Sequence, residues 1–115
     1  MVDSKAAARA FKTAMVSHLN QVAPVTARAM FGGYGLYCEG IMFALIAYET
    51  LYFKADVGNQ AQFTEAGMGP FVYDRNGKTV AMSYYQLPPA VYDDLDLLHR
   101  WVEAAIAAAR RGKRK

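Results

Sequence analysis

Val25-Thr26-Ala27-Arg28-Ala29-Met30-Phe31, Tyr34-Gly35-Leu36-Tyr37-Cys38, Ile41-Met42-Phe43-Ala44-Leu45-Ile46-Ala47 and Leu51-Tyr52-Phe53-Lys54 are four short, largely apolar runs. Gly32-Gly33, Glu39-Gly40 and Tyr48-Glu49-Thr50 separate them. Four such segments joined by short turns are the signature of an antiparallel meander. The third run is apolar at both parities, with Ile41, Phe43 and Leu45 on one side and Met42, Ala44 and Ile46 on the other. A strand with two apolar faces is expected to be central and covered on both sides.

Upstream, Phe11, Met15, Leu19 and Val22 recur at helical spacing. This predicts a helix from an N-cap at Asp3 or Ser4 to about residue 22. Pro24 stops it, because the residue before a proline avoids the α region. Downstream, Asn59–Ala66 reads as a short helix closed by Gly67. Phe71–Asp74 and Lys78–Gln86 read as strands around Asn76-Gly77, a pair that suits the positive φ angles of a type I′ hairpin turn. Pro88-Pro89 ends the second strand.

The last helix is expected from Ala90 or Asp93 to Ala109. Leu95, Leu98, Val102 and Ile106 form its apolar stripe, widened by Leu97, Trp101 and Ala105. The acidic residues at its start and the arginines at its end complement the helix dipole.

The order is α-β-β-β-β-α-β-β-α. The expected fold is two-layer α+β: an antiparallel sheet of five to six strands, two long helices flanking it on one face, and one short helix. Residues 1–109 form the domain and residues 110–115 a basic C-terminal tail. Five of the 13 basic residues lie in that tail, so residues 1–109 carry 8 basic against 10 acidic groups. The body is mildly acidic, which argues against a basic nucleic-acid-binding body.

At 115 residues the length fits one domain with a core of its own. The longest apolar run, Ile41–Tyr48, is far short of the roughly 20 residues a membrane span needs. A single cysteine excludes an internal disulfide and a cysteine-rich zinc site. The N-terminus lacks the apolar stretch of a signal peptide, so the cytoplasm is the expected compartment.

Few residues carry chemistry. His18 has no acid or nucleophile paired with it locally, so a half-buried structural histidine is the simpler reading than a general base. His99 lies between Asp96 and Glu103 at helical spacing, which reads as solvated surface pairing rather than a metal site. Cys38 has Glu39 beside it, the wrong sign for an activated thiolate, and reads as a structural core thiol. The Gly32, Gly33 and Gly35 cluster leads into a strand, not a helix. It therefore suits a hairpin or bulge with close backbone approach better than a phosphate cradle.

Tyrosines populate the strands: Tyr37, Tyr52, Tyr73, Tyr84 and Tyr85. The adjacent pair Tyr84-Tyr85 must point to opposite faces, one of them to a surface, pocket or partner. Tyr37, Lys54, Tyr84 and Tyr85 are the candidate partner or ligand surface. Base stacking would require interleaved cations, and only Lys54, Arg75 and Lys78 lie near these tyrosines in sequence. Arg110, Arg111, Lys113, Arg114 and Lys115 are the candidate nucleic-acid contacts, set against a solvated, frayed terminus. No catalytic residue, metal or cofactor is expected.

Five blocks resemble the TfoX N-terminal domain family, also called the Sxy family. They are residues 28–37 (RAMFGGYGLY), 40–44 (GIMFA), 51–56 (LYFKAD), 70–73 (PFVY) and 82–85 (MSYY), in the family's order and spacing. The similarity spans roughly residues 10–109. It implies a two-layer α+β domain with no established enzymatic activity or cofactor. Full-length members are bacterial regulators of competence for DNA uptake that act with the cyclic-AMP receptor protein and carry a second, C-terminal domain. This chain reads as a stand-alone copy of the first.

The expected function is a non-catalytic regulatory module acting by protein contact in transcriptional control. A small-ligand-binding or enzymatic domain with a tyrosine-lined pocket is the alternative. The sheet face opposite the helices is expected to keep apolar or aromatic residues such as Met42, Ala44, Ile46, Tyr37 and one of Tyr84 and Tyr85. That predicts a homodimer through this face or through an edge strand.

Overall fold

The computed structural model describes residues 4–30 and 33–113. Among these, four helices and six strands follow in the order α1 (Ser4–Leu19), β1 (Thr26–Met30), β2 (Gly33–Cys38), β3 (Ile41–Ala47), β4 (Thr50–Lys54), α2 (Gln60–Glu65), β5 (Pro70–Arg75), β6 (Lys78–Gln86), α3 (Pro89–Tyr92) and α4 (Leu95–Lys113). Asp3, one of the two N-cap candidates, and Gly32 of the first turn lie outside the described residues.

α1 stops at Leu19, three residues before the apolar periodicity does. The cause is Asn20. Its side-chain nitrogen donates to the carbonyls of Val16 at 2.8 Å and Val25 at 3.1 Å, and its oxygen accepts the Val25 N–H at 3.2 Å. One side chain thus satisfies backbone groups that the helix would otherwise leave open, and it hands the chain to β1.

The strands form one antiparallel sheet in the order β1-β2-β3-β4-β6-β5. The hairpins turn on residues of positive φ: Glu39 (52°) with Gly40 (79°), and Asn76 (53°) with Gly77 (81°). Both match the type I′ turn whose twist suits a hairpin. The β3–β4 turn instead uses Tyr48 (51°) and Glu49 (54°), where side chains strain the left-handed conformation. After α2, Gly67 (80°) lets the Met68 N–H reach back to the Phe63 carbonyl at 2.9 Å, a helix-closing bond.

Both long helices lie on the same face. Met15 and Leu19 of α1 share one core with Leu98, Trp101, Val102, Ala105 and Ile106 of α4, against Leu36, Phe43, Ala44, Ile46, Leu51 and Phe53 of the sheet. Phe63 of α2 sits edge-on to Trp101, with ring centroids 4.8 Å apart, and is fully buried. It anchors the short helix to the long one.

Strand parity alone misassigns part of β3. Ala44 and Ile46 do not face away from the helices; both lie in the helix-side core beside Phe43. A bulge explains this. Leu36 pairs with Ala44, but the next residue, Tyr37, pairs with Met42, so Phe43 is an extra residue on β3. One inserted residue exchanges the faces of everything beyond it.

The last helix also differs from its expected limits. Pro89–Tyr92 is a separate single turn, and α4 begins at Leu95. Asp94 caps α4, its carboxylate accepting the Leu97 N–H at 3.1 Å. The helix then runs past Ala109 to Lys113, because its terminal arginines reach back to the sheet end and the β4–α2 loop.

Gly33 shows the close backbone approach expected of the glycine cluster. A Cβ built there would lie 2.2 Å from the carbonyl oxygen of Ile46.

Candidate functional site

The register assigns the residues of the face away from the helices. Arg28 pairs with Gly35, Tyr37 with Thr26 and Met42, Leu45 with Gly35 and Tyr52, Lys54 with Tyr84, Tyr73 with Val80, and Arg75 with Lys78. Directly opposed residues share a face. Ring contacts bring in the remaining aromatic: Phe71 is 5.2 Å from Tyr52 edge-on and 6.3 Å from Tyr73 in a stacked arrangement. Among the described residues, no helix packs on this face.

Its floor is nonetheless filled. Gly35 leaves room for two methionines; a Cβ there would meet Met30 Sδ at 2.9 Å and Met42 Sδ at 3.0 Å. Leu45 and Tyr84 are buried at 7% and 8% exposure. Two cations lie on rings. The Arg28 guanidinium is 5.0 Å from the Tyr37 centroid and the Lys54 ammonium 5.2 Å from the Tyr84 centroid. Burial, with the nearby Tyr37 phenol second, pushes the Tyr84 hydroxyl above its ordinary pKa. It therefore stays neutral at physiological pH.

Three of the four sequence candidates thus meet on one face: Tyr37, Lys54 and Tyr84. Tyr85 does not join them. It pairs with Phe53 and packs against Phe63 on the helix side. Arg28 and Phe71 belong to the face but were not singled out from sequence. Alternation within Phe71-Val72-Tyr73 carried the signal for Phe71; Arg28 needed the β1–β2 register.

Where β4 ends, a cleft of about 610 Å³ opens between β6, α2 and the end of α4. Its polar wall is Lys54, Asp56, Gln60, Ser83, Tyr85 and Arg111. Each of these bonds to another. Lys54 Nζ donates to Ser83 Oγ at 2.7 Å, and Gln60 Nε2 to the Tyr85 hydroxyl at 2.8 Å. Arg111 donates to both Asp56 oxygens, at 2.5 and 2.7 Å. Those hydrogen bonds hold the Asp56 carboxyl down at about pKa 2. Asn59, buried in the same loop, accepts the Asp56 N–H at 2.8 Å and donates to the Lys54 carbonyl at 3.0 Å.

The remaining candidates have structural surroundings. His18 stacks on Tyr92 at 4.4 Å, and its Nε2 donates to the Tyr92 carbonyl at 2.6 Å while Nδ1 accepts from Gln21 at 3.1 Å. The Tyr92 hydroxyl in turn donates to the Met15 sulfur. His99 meets Glu103 at 3.3 Å on the exposed side of α4. Cys38 is buried in the core, and burial, helped by Glu39 and Glu103, raises its thiol pKa above the ordinary value. Among the described residues no group of three or more histidine, cysteine or carboxylate side chains is placed to hold a metal ion.

The basic end is not a free tail throughout. Arg110 pairs with Glu39 at 3.4 Å and Arg111 with Asp56. Lys113 is exposed. Arg114 and Lys115 lie outside the described residues. No helix among the described residues is long and apolar enough to cross a membrane.

Comparison with known proteins adds one finding. A family model, the TfoX N-terminal domain, matches residues 17–109. No curated protein matches the chain.

Proposed function

The chain belongs to the TfoX N-terminal domain family, and on that premise we propose that it is a non-catalytic regulatory module acting by protein–protein contact in transcriptional control. The family match over residues 17–109 carries this reading. The chemistry of the described residues supports it. A catalytic site needs a nucleophile, a base and an orienting group within reach of one another. Here Cys38 is buried and protonated, His18 is held by Tyr92 and Gln21, and the polar wall of the cleft is paired within itself.

By family resemblance the partner is the cyclic-AMP receptor protein or other transcription machinery at bacterial competence genes, and the compartment is the cytoplasm. We assign self-association to the sheet edges. β1 and β5 are the end strands, and β5 presents Val72 at 49% exposure. An unpaired edge is a template for a second strand, which favours a twofold homodimer.

Two measurements test the reading. In a pull-down from a bacterial host, with and without cyclic-AMP receptor protein, that protein or RNA polymerase is expected among the captured species identified by mass spectrometry. Sedimentation equilibrium at tens of micromolar is expected to return a dimer, and a monomer would overturn the edge assignment. A small molecule co-purifying in the Lys54–Arg111 cleft would favour the ligand-binding alternative instead.

A further inference from the structure

We propose that the helix-free sheet face is a binding platform for single-stranded nucleic acid, an activity beyond protein contact. Two chemistries converge on that face. The first is aromatic. Tyr37, Tyr52, Phe71 and Tyr73 lie on it part-exposed, and the 88%-exposed Tyr48 stands at its rim against Phe71 at 6.4 Å. Every base has a π-face, so successive bases stack on such rings without regard to sequence.

The second is charge. The strand positions of this face hold Arg28, Lys54, Arg75 and Lys78 and no carboxylate. Asp74 pairs with Thr79 at the opposite parity, and Glu39 and Glu49 sit in turns. Among the described residues none of the four cations is in an ion pair. Arg110 and Arg111, away from this face, are by contrast each neutralised by a carboxylate. A mildly acidic domain that gathers cations without carboxylate partners among aromatic rings on one open face is complementary to a polyanion with stackable bases. A folded protein partner offers the charge but not the array of π-faces, and duplex DNA hides its bases in the stack.

Interleaving is what the sequence failed to display. Arg28 lies nine residues from Tyr37 along the chain, yet its guanidinium covers that ring. Lys54 lies 30 residues from Tyr84 and covers it likewise.

The test is fluorescence anisotropy of the intact chain with labelled oligothymidine and oligouridine of about 12 nucleotides, a length within the usual site sizes. A duplex of the same length is the comparison. Both single strands are expected to bind more tightly than the duplex, and the tighter of the two identifies DNA or RNA as the preferred source. If all four cations contact phosphate, log K falls against log salt with a slope of about −2.8. Arg28→Ala is expected to reduce that slope by about 0.7. Tyr73→Ala is expected to weaken binding about tenfold without changing it. Both positions are exposed, so circular dichroism should report folded variants. Arg110→Ala, away from the face, leaves binding unchanged. Equal affinity for duplex, absence of binding at low salt, or loss of binding in Arg110→Ala but not in the face variants would each overturn the proposal.

Discussion

Arg111 in the last turn of α4 grips Asp56 just beyond β4 through two parallel hydrogen bonds, at 2.5 and 2.7 Å. That bidentate pair spans 55 residues of sequence and ties the C-terminal helix to the loop entering α2. It fixes how far α4 extends and closes one side of the cleft.

The pair makes stability depend on acidity in a defined window. The Asp56 pKa is lowered from 3.8 to about 2, chiefly by the Arg111 hydrogen bonds. A depressed carboxylate contributes its stability above its unfolded pKa and loses it as pH falls through the folded value. Asp56→Asn should therefore lower Tm modestly at neutral pH, since the pair is partly solvated. The gap from the parent chain should shrink between about pH 4 and pH 2. Thermal melts across that range measure it, and a gap that widens on acidification would contradict the assignment.

Phe63 is fully buried against Trp101 and Tyr85. Phe63→Ala leaves a cavity between α2, α4 and β6, and is expected to cost about 3–5 kcal/mol in urea unfolding. A loss near zero would mean that α2 is not anchored as described.

Two glycines separate close approach from open space. Gly33→Ala forces a methyl group onto the Ile46 carbonyl, whereas nothing lies within 4 Å of a Cβ at Gly69. Gly33→Ala should destabilise by about 1–3 kcal/mol, and Gly69→Ala should stay within about 0.5 kcal/mol. Equal effects would refute the packing of β2 against β3.

Cys38 should be inert. Burial and its acidic neighbours hold the thiol protonated, and only the thiolate attacks. A disulfide reagent at neutral pH is expected to label it slowly in the folded chain and rapidly in denaturant. Fast labelling of the folded chain would expose a reactive site that the core packing denies.

Much of this fold was legible because its signals are local. Asn76-Gly77 names its own turn, and the α4 stripe, apart from its exposed first member Leu95, its own buried face. Three features were not local. The Phe43 bulge, which carries Ala44 and Ile46 into the helix-side core, depends on how β2 meets β3. The extension of α4 to Lys113 depends on Glu39 and Asp56, distant in sequence. The cation over Tyr37 depends on the β1–β2 register. Of the candidate surface, Tyr37 and Lys54 were readable as strand residues with a free side. Tyr85 was not separable from Tyr84 until the pairing with Phe53 fixed its direction.

The central claim is that this domain works by contact with a transcription regulator. Calorimetric titration of the intact chain with purified cyclic-AMP receptor protein, in the presence and absence of cyclic AMP, tests it most directly. The account predicts a saturable isotherm that Val72→Lys and Arg28→Ala leave in place, since self-association is proposed for the β5 edge and nucleic-acid binding for the open face. A flat titration with both states of the receptor protein would contradict it.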